Sequence, residues 1–232
     1  MKIKTAAVLT LIILTFVLCA GENGKIEKTS VREEKPSFFP YWHQRVSLFR
    51  ALPNKEQEII FLGDSLIDGC NWSELLDDSR IINRGISGDT TQGVLARLDE
   101  VTKSGPLKIF LMIGVNDLGR GNPPEQILNN LKLIIKKIKE DSPDTEIYCQ
   151  SILPVNPDYK IFPEHTTKTE EIIYINKALR KSAEKIDFTF IDLFSLFSDK
   201  YSKLSPQYTN DGLHLNGQGY LVWKKSIEKY LH

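Results

Sequence analysis

Cysteine and net charge are both scarce in this 232-residue chain, and each absence excludes a class of protein. Only three cysteines are present, and Cys70 and Cys149 are the two that follow the apolar N-terminal segment. A small secreted protein stabilised by disulfides would carry more, so we expect two buried free thiols unless the fold brings this pair together. The 30 basic and 30 acidic side chains cancel, so the overall charge does not direct the protein to nucleic acid or to an anionic membrane.

Metal-ligand patterns are lacking as well. No two cysteines have the spacing of a zinc site, and the four histidines, at positions 43, 165, 214 and 232, are scattered along the chain. The sequence therefore predicts neither a structural nor a catalytic zinc site. Lysines at positions 132–139 alternate with isoleucine and leucine, which predicts the solvated face of an amphipathic helix rather than a nucleic-acid site.

The N-terminus differs in composition from the rest of the chain. Lys2 and Lys4 precede an uncharged, mostly apolar run from Thr5 to Ala20, after which the chain turns polar. A basic start, an apolar centre and a small residue at the boundary are typical of a secretory signal peptide, which we assign to residues 1–20. The run is slightly short for a membrane-spanning helix, so we expect export with cleavage and no membrane span.

Cys19 leaves an alternative open, which is lipid attachment to a new N-terminal cysteine. The segment resembles a bacterial lipoprotein signal, although Leu18 stands where a small residue is expected and Phe16 replaces the usual leucine. Residues 21–36 contain few apolar side chains and are predicted to be a flexible linker in either case. We therefore expect a periplasmic or extracellular protein, membrane-anchored if Cys19 is lipidated, with one folded domain at residues 37–232.

Beyond the linker, two kinds of apolar segment alternate. Short runs that are nearly continuous in isoleucine, leucine, valine and phenylalanine are typical of parallel strands covered on both faces; they lie at 58–62, 80–83, 107–113, 146–152 and 188–192. The intervening segments predict helices near 67–76, 91–101, 124–140, 169–185 and 217–231, after a first helix over 38–52. This alternation predicts a three-layer α/β/α sandwich around a five-stranded parallel sheet.

Polar clusters lie where such a sheet binds its ligands, beyond the carboxyl ends of the strands. They are Gly63-Asp64-Ser65 after the first strand, residues 83–91 after the second, Gly114-Val115-Asn116-Asp117 after the third, and Asp211–His214 ahead of the last helix. Each cluster alone has an ordinary explanation as a helix cap, a turn or a surface loop. Their joint occurrence, in order and at the same edge of the sheet, favours a shared chemical role.

That role is ester cleavage, which needs a nucleophile, a base and donors aimed at the developing oxyanion. Ser65 is the candidate nucleophile, His214 the candidate general base and Asp211 the residue that orients it. The candidate donors are the N–H groups of Ser65 and Gly85 and the side-chain amide of Asn116. We expect the neighbouring aspartate of the first cluster to hold the nucleophile loop rather than to transfer protons.

These four clusters match, in order, the motif blocks of the GDSL or SGNH hydrolases, which the chain resembles from Ile59 to Tyr230. It lacks the Gly-x-Ser-x-Gly elbow of the α/β-hydrolases. The resemblance implies a flavodoxin-like strand order of 2-1-3-4-5, a Ser-His-Asp triad and no cofactor. Residues 85–91 look most like the platelet-activating-factor acetylhydrolase subunits and the secreted bacterial sugar O-acetylesterases.

Short loops and the absence of a long apolar lid favour a short acyl group, acetyl above all, on a polar alcohol such as a sugar. The alternatives are a lysophospholipase or thioesterase with a longer acyl pocket, and a non-catalytic glycan-binding module. The presence of both a serine and a histidine at the motif positions disfavours the binding module.

Aromatic residues near the predicted site have two interpretations each. Tyr159, Phe162 and His165 follow the fourth strand, where they either line the alcohol side of the site or pack locally. Tyr41 and Trp42 either contact a sugar or belong to a helix face packed on the core, and the core is the stronger expectation.

Overall fold

The computed structural model describes residues 38–55 and 57–231. The predicted signal peptide, the predicted linker and Cys19 lie outside the described residues and stay predictions. Within the described ranges, no helix has the length and apolar character needed to cross a membrane.

The core of the fold is a five-stranded sheet in which every pairing is parallel. The strand order is β2-β1-β3-β4-β5, which confirms the predicted architecture and topology. The strands are β1 (Ile59–Gly63), β2 (Ile81–Gly85), β3 (Lys108–Met112), β4 (Glu146–Gln150) and β5 (Thr189–Ile191).

Alternation along the central strands divides the apolar side chains between the two faces of the sheet. On β1, Ile60 and Leu62 join one core cluster, whereas Ile59 and Phe61 join the other. Both faces are therefore covered, and β1 is buried at every position. This explains why the strands consist of nearly continuous apolar residues rather than of alternating polar and apolar ones.

The helices that cover the two faces vary widely in length. They are α1 (Pro40–Ala51), α2 (Ser65–Asp68), α3 (Trp72–Leu76), α4 (Thr91–Ala96), α5 (Leu98–Thr102), α6 (Val115–Gly119), α7 (Pro124–Asp141), α8 (Pro163–Thr166), α9 (Thr169–Ser182), α10 (Phe194–Phe197) and α11 (Gly217–Ile227). Short 3₁₀ helices occur at Pro157–Tyr159, Pro206–Tyr208 and Glu228–Tyr230.

Two helices predicted as continuous are each broken in the structure. The segment 67–76 divides into α2 and α3 around Gly69, and the segment 91–101 divides into α4 and α5 at Arg97. Arg97 leaves the helical conformation, with φ −122° and ψ 11°, and its guanidinium is completely buried. Apolar spacing continues through both breaks, so periodicity alone could not reveal them.

Cys70 and Cys149 are both free and buried, as expected from the sequence. Burial raises the pKa of each thiol to about 12. Both thiols are therefore protonated at neutral pH, and they fill the core as small apolar side chains.

Candidate active site

The candidate nucleophile lies at the turn between β1 and α2. Ser65 is the first residue of α2, and the carboxylate of Asp64 caps this helix by accepting a hydrogen bond of 3.1 Å from the N–H of Leu66. The strand thus delivers Ser65 to the carboxyl edge of the sheet, where its side chain is partly exposed. Its own N–H has no acceptor within residues 38–55 and 57–231.

The candidate base and its orienting residue reach Ser65 from the loop that precedes α11. His214 Nε2 lies 3.1 Å from Ser65 Oγ, although the two residues are 149 positions apart in the chain. On the other side of the ring, His214 Nδ1 lies 2.7 Å from Asp211 Oδ2. The fold therefore places the three predicted residues in one continuous hydrogen-bonded row, which is the arrangement of an activated serine nucleophile.

Local hydrogen bonds fix the loop that carries the imidazole. The second oxygen of Asp211 accepts from the N–H groups of Leu213 at 2.9 Å and His214 at 2.7 Å. Burial by itself raises the pKa of Asp211, but these two bonds and the contact with the imidazole outweigh it and lower the pKa. Asp211 is consequently a carboxylate at neutral pH, the form that orients and stabilises an imidazolium.

Nearly all backbone N–H groups at the end of β2 and in the loop that leads to α4 are hydrogen-bonded. Six of the seven N–H groups from Gly85 to Thr91 have an acceptor. Gly85 donates to Asn83 Oδ1 at 2.7 Å, so its N–H is already occupied. A Cβ at this position would overlap the backbone of Asp68 in α2. Close packing of α2 against β2 therefore accounts for the glycine at position 85.

Gly88 is the exception among the seven. Its N–H has no acceptor in the described part of the chain, and its backbone is left-handed, with φ +80°, a conformation that favours glycine. Its carbonyl accepts a hydrogen bond of 2.7 Å from Arg120, which fixes the peptide. The sequence has glycines at both 85 and 88. Only the hydrogen bonds of the folded chain show that the N–H of Gly85 is occupied and that of Gly88 is free.

Asn116 lies in α6 with its side chain buried and held at both ends. Its Nδ2 donates to the carbonyl of Asp89 at 2.9 Å, and its Oδ1 lies 3.2 Å from His165 Nε2. One of the two amide hydrogens therefore remains free to donate. The neighbouring residue, Asp117, accepts from both the N–H and the hydroxyl of Thr91, which joins the third motif block to the second.

Asp64 is the most perturbed carboxyl group beside the nucleophile. It is 1% exposed, and burial raises its pKa to about 7, with Asp89 and Asp117 adding smaller repulsions. Its carboxyl accepts from Leu66 and makes no contact with the imidazole among the described residues. This geometry agrees with the expected role of holding the loop.

A buried ion-pair network holds the loop between β2 and α4 through Asp89. Arg97 is 0% exposed and binds Asp89 at 2.9 Å and Glu100 at 3.0 Å. Arg84 pairs with the other oxygen of Glu100 at 3.1 Å. Because each buried charge has a partner, the network can persist without water.

The first helix covers this network with Trp42 and Phe49, whereas Tyr41 does not pack on the core, contrary to the expectation for it. Trp42 is buried and donates its indole N–H to Asp89 at 3.1 Å. Phe49 lies beneath the guanidinium groups of Arg84 and Arg97. Tyr41 is exposed, and its hydroxyl donates to Asp68 at 3.1 Å. The contacts of Trp42 support the expectation that it packs on the core.

The three aromatic residues predicted near the alcohol side lie in different surroundings. Tyr159 contacts the loop of the base, with its hydroxyl 3.4 Å from the Thr209 carbonyl, and therefore packs locally. Phe162 stands edge-on to His214, with 5.4 Å between the ring centroids. His165 is half-buried, and its Nε2 contacts Asn116 Oδ1. The sequence placed His165 near the site but gave no sign of its contact with the amide.

Metal ligation is not supported by the described side chains: no group of three or more histidine, cysteine, aspartate or glutamate residues among them could hold an ion.

Comparison with known proteins gives consistent results. A family model described as the GDSL-like Lipase/Acylhydrolase family matches residues 61–222. The platelet-activating factor acetylhydrolase IB subunit alpha1 of Bos taurus is 29% identical over 184 residues, which are 77% of this chain and 76% of that protein.

Solved structures add the fold. A protein from Streptococcus pneumonia whose structure is described as that of a platelet activating factor is 35% identical to this chain. The match has a TM-score of 0.76 and covers 83% of this chain and 93% of that one. The acetyl xylan esterase AlAXEase shares the fold at 20% identity, with a TM-score of 0.61, over 75% of this chain and 100% of that one.

Proposed function

The chain belongs to the GDSL-like lipase/acylhydrolase family, and on that premise we propose that it is a serine esterase for short-chain esters, chiefly acetyl esters of carbohydrates. The observation that carries the proposal is the hydrogen-bonded row Asp211–His214–Ser65 at the carboxyl edge of the sheet. The nucleophile contacts its base, and the base contacts the carboxylate that orients it.

The proposed reaction is a two-step acyl transfer. His214 Nε2 takes the proton of Ser65 as Oγ attacks the ester carbonyl, and Asp211 stabilises the imidazolium that forms. His214 then returns this proton to the departing alcohol, which leaves an acyl-enzyme. Water attacks the acyl-enzyme with the same base, and the carboxylic acid departs as Ser65 regains its proton.

The proposed oxyanion hole uses N–H groups that no other acceptor occupies. Ser65 N–H, Gly88 N–H and the second amide hydrogen of Asn116 meet this condition among the described residues. Gly85 was the predicted third donor, but its N–H is bonded to Asn83, so we assign the role to Gly88. The bond from Asn116 to the Asp89 carbonyl, one residue beyond Gly88, supports this grouping.

Loop lengths at the site support a short acyl group. One residue separates β1 from α2, two separate β3 from α6, and five separate β2 from α4. These three loops are too short to form a lid over Ser65, which favours a short acyl chain. The connection from β4 to α9, residues 151–168, is longer and reaches the base through Phe162. The name of the acetylhydrolase relative supports acetyl, and the name of the acetyl xylan esterase that shares the fold supports a sugar as the alcohol.

One observation favours a second candidate, an acylhydrolase for longer chains. Ile161 and Phe162 are 44% and 39% exposed, and Phe162 lies against His214. An apolar surface beside the base suits a lipid or thioester acyl chain as well as the apolar face of a sugar. We also propose export through the predicted signal peptide at residues 1–20, with lipidation at Cys19 as the alternative.

Hydrolysis rates of p-nitrophenyl acetate, butyrate and octanoate test the assignment. We expect the acetate to be turned over fastest, rates to fall with chain length, and Ser65→Ala to abolish activity. A rate that rises towards octanoate would move the assignment to lipid or thioester substrates. Activity that survives Ser65→Ala would refute the serine mechanism. If activity depends on Ser65, release of acetate from acetylated xylan tests whether the enzyme accepts sugar esters.

Two variants separate the roles within the site. Asp211→Asn should lower kcat by about 10⁴-fold, because the amide favours the wrong imidazole tautomer. Asn116→Ala should lower kcat by about 100- to 1,000-fold through loss of one oxyanion donor. Asn129→Ala, on the exposed face of α7, is the matched control for asparagine removal. A loss of less than about threefold in Asn116→Ala would exclude it as a donor.

A further inference from the structure

Resting on the proposed function, we propose that His165 is a positioning residue that holds the Asn116 amide so that its free N–H faces the oxyanion. His165 lies outside the four motif blocks, 49 positions from Asn116 in the chain. It touches the amide and not the nucleophile, so its effect on the reaction passes through Asn116.

The argument begins with the geometry of a side-chain amide. A carboxamide has one acceptor oxygen and two N–H donors in a plane. The bond from Nδ2 to the Asp89 carbonyl fixes one N–H of Asn116 but leaves the amide able to pivot about that bond. A second contact, between Oδ1 and His165 Nε2 at 3.2 Å, removes this freedom. With both ends held, the direction of the remaining N–H is set before substrate arrives, as a preorganised donor requires.

The protonation state of His165 follows from its other nitrogen. Nδ1 is buried and has no hydrogen-bond partner among the residues described. A proton there would be an unsatisfied buried donor, so the form that fits carries its hydrogen on Nε2 and donates it to Asn116 Oδ1. Burial lowers the pKa of His165; Glu164 opposes this with a smaller upward effect, and His214 and Arg120 add still smaller downward effects, so the pKa is lowered. The ring is therefore neutral and a donor at neutral pH.

The residues around the His165 ring leave space for it and fix its position. A Cβ at position 119 would overlap the imidazole, so the glycine in α6 provides its space. Phe162 precedes α8 in the left-handed conformation, with φ +55°, which is strained for a non-glycine residue. From there its carbonyl accepts the N–H of His165 at 2.9 Å, while its own ring lies edge-on to His214. One strained residue thus places His165 under Asn116 and an aromatic ring beside the base.

A double-mutant cycle on p-nitrophenyl acetate tests the proposal. His165→Phe keeps a ring but removes the donor, and we expect kcat to fall at least about tenfold, with KM unchanged, because the oxyanion donor is misaligned. His165→Gln, whose amide can donate, should recover much of this loss. In the Asn116→Ala background His165→Phe should have no further effect, since the group it positions is absent.

Three results would overturn the proposal. They are full additivity of His165→Phe with Asn116→Ala, a loss confined to KM, and a recovery in His165→Gln no better than in His165→Phe. If His165→Phe does not fold, Gly119→Ala displaces the ring from the other side and should give the same kcat loss and the same non-additivity. Ser65→Ala, measured in parallel, distinguishes this failure from failure of the serine mechanism itself.

Discussion

The buried carboxyl of Asp64 predicts that the protein loses stability as the pH rises from acid to neutral. Burial raises its pKa from 3.8 to about 7, so the folded protein retains a proton that the unfolded chain releases. A group with a raised folded-state pKa stabilises fully below its unfolded value, and this contribution is lost as the pH rises through the folded value. The difference of about 3 units corresponds to about 4 kcal/mol.

Asp64→Asn removes the titration while keeping an oxygen that can accept from Leu66 N–H. The free energy of unfolding of the variant, relative to the wild-type protein, should rise by about 1.4 kcal/mol per pH unit between the two pKa values and then level off. Between about pH 4.5 and about pH 8 the total change should be about 3 kcal/mol. Urea unfolding followed by tryptophan fluorescence at a series of pH values measures it.

The control is Asp144→Asn, at an exposed position, which makes the same change in charge number without removing a buried carboxyl. A stability difference for Asp64→Asn that is constant with pH would refute the reasoning. It would mean that Leu66 N–H and the neighbouring helix stabilise a buried carboxylate as well as water does.

Two further predictions concern packing and buried charge. Arg97→Met leaves the buried Asp89 without its cationic partner and Glu100 with Arg84 alone, and it should cost about 3–5 kcal/mol. Arg50→Met breaks an exposed pair and should cost less than about 1 kcal/mol; equal costs in urea unfolding would contradict the assignment of Arg97 to a desolvated network. Gly85→Ala should destabilise the protein because its Cβ meets the Asp68 backbone, whereas Gly217→Ala, with open space around it at the start of α11, should be neutral or stabilising; a tolerated Gly85→Ala would show that α2 can move away from β2.

The sheet could be predicted from sequence because its signals are local and strong. Each predicted strand agrees with the structure to within about two residues, since apolar runs of this length between helical segments have few other interpretations. The long amphipathic helix α7, predicted at 124–140, begins at Pro124 and ends at Asp141. Strand order, by contrast, came from the family resemblance and not from the apolar pattern.

What sequence could not supply depends on contacts between distant residues. Gly85 and Gly88 both suit a tight loop, and only the bond from Gly85 N–H to Asn83 shows which donor is occupied. The contact of His165 with Asn116 joins α8 to α6 and leaves no local pattern. The break at Arg97 arises because its guanidinium is drawn into a buried network, whereas an arginine in a helical pattern is normally expected at the surface.

The polar residues of the motif blocks outnumber those that the chemistry uses, and the structure gives a reason. Asp117 binds Thr91, and Asp68 accepts both the N–H and the hydroxyl of Ser87. Asp89 accepts from Trp42 and Arg97. These contacts tie the loops at the site to their neighbours through hydrogen bonds that are buried at Asp117 and Asp89 and partly buried at Asp68, and buried bonds are costly to break.

The hydrogen bonds between these loops also affect function. The loops that carry Ser65, Gly88 and Asn116 are too short to close over the substrate, so the donors on them must be aligned beforehand. Electrostatic stabilisation of an oxyanion depends on donors that need no reorganisation during the reaction. On the proposed mechanism, Asp68, Asp89 and Asp117 therefore serve the reaction by holding in place the loops that carry Gly88 and Asn116. Their removal should reduce stability and turnover together, whereas loss of the Ser65 hydroxyl should reduce turnover alone.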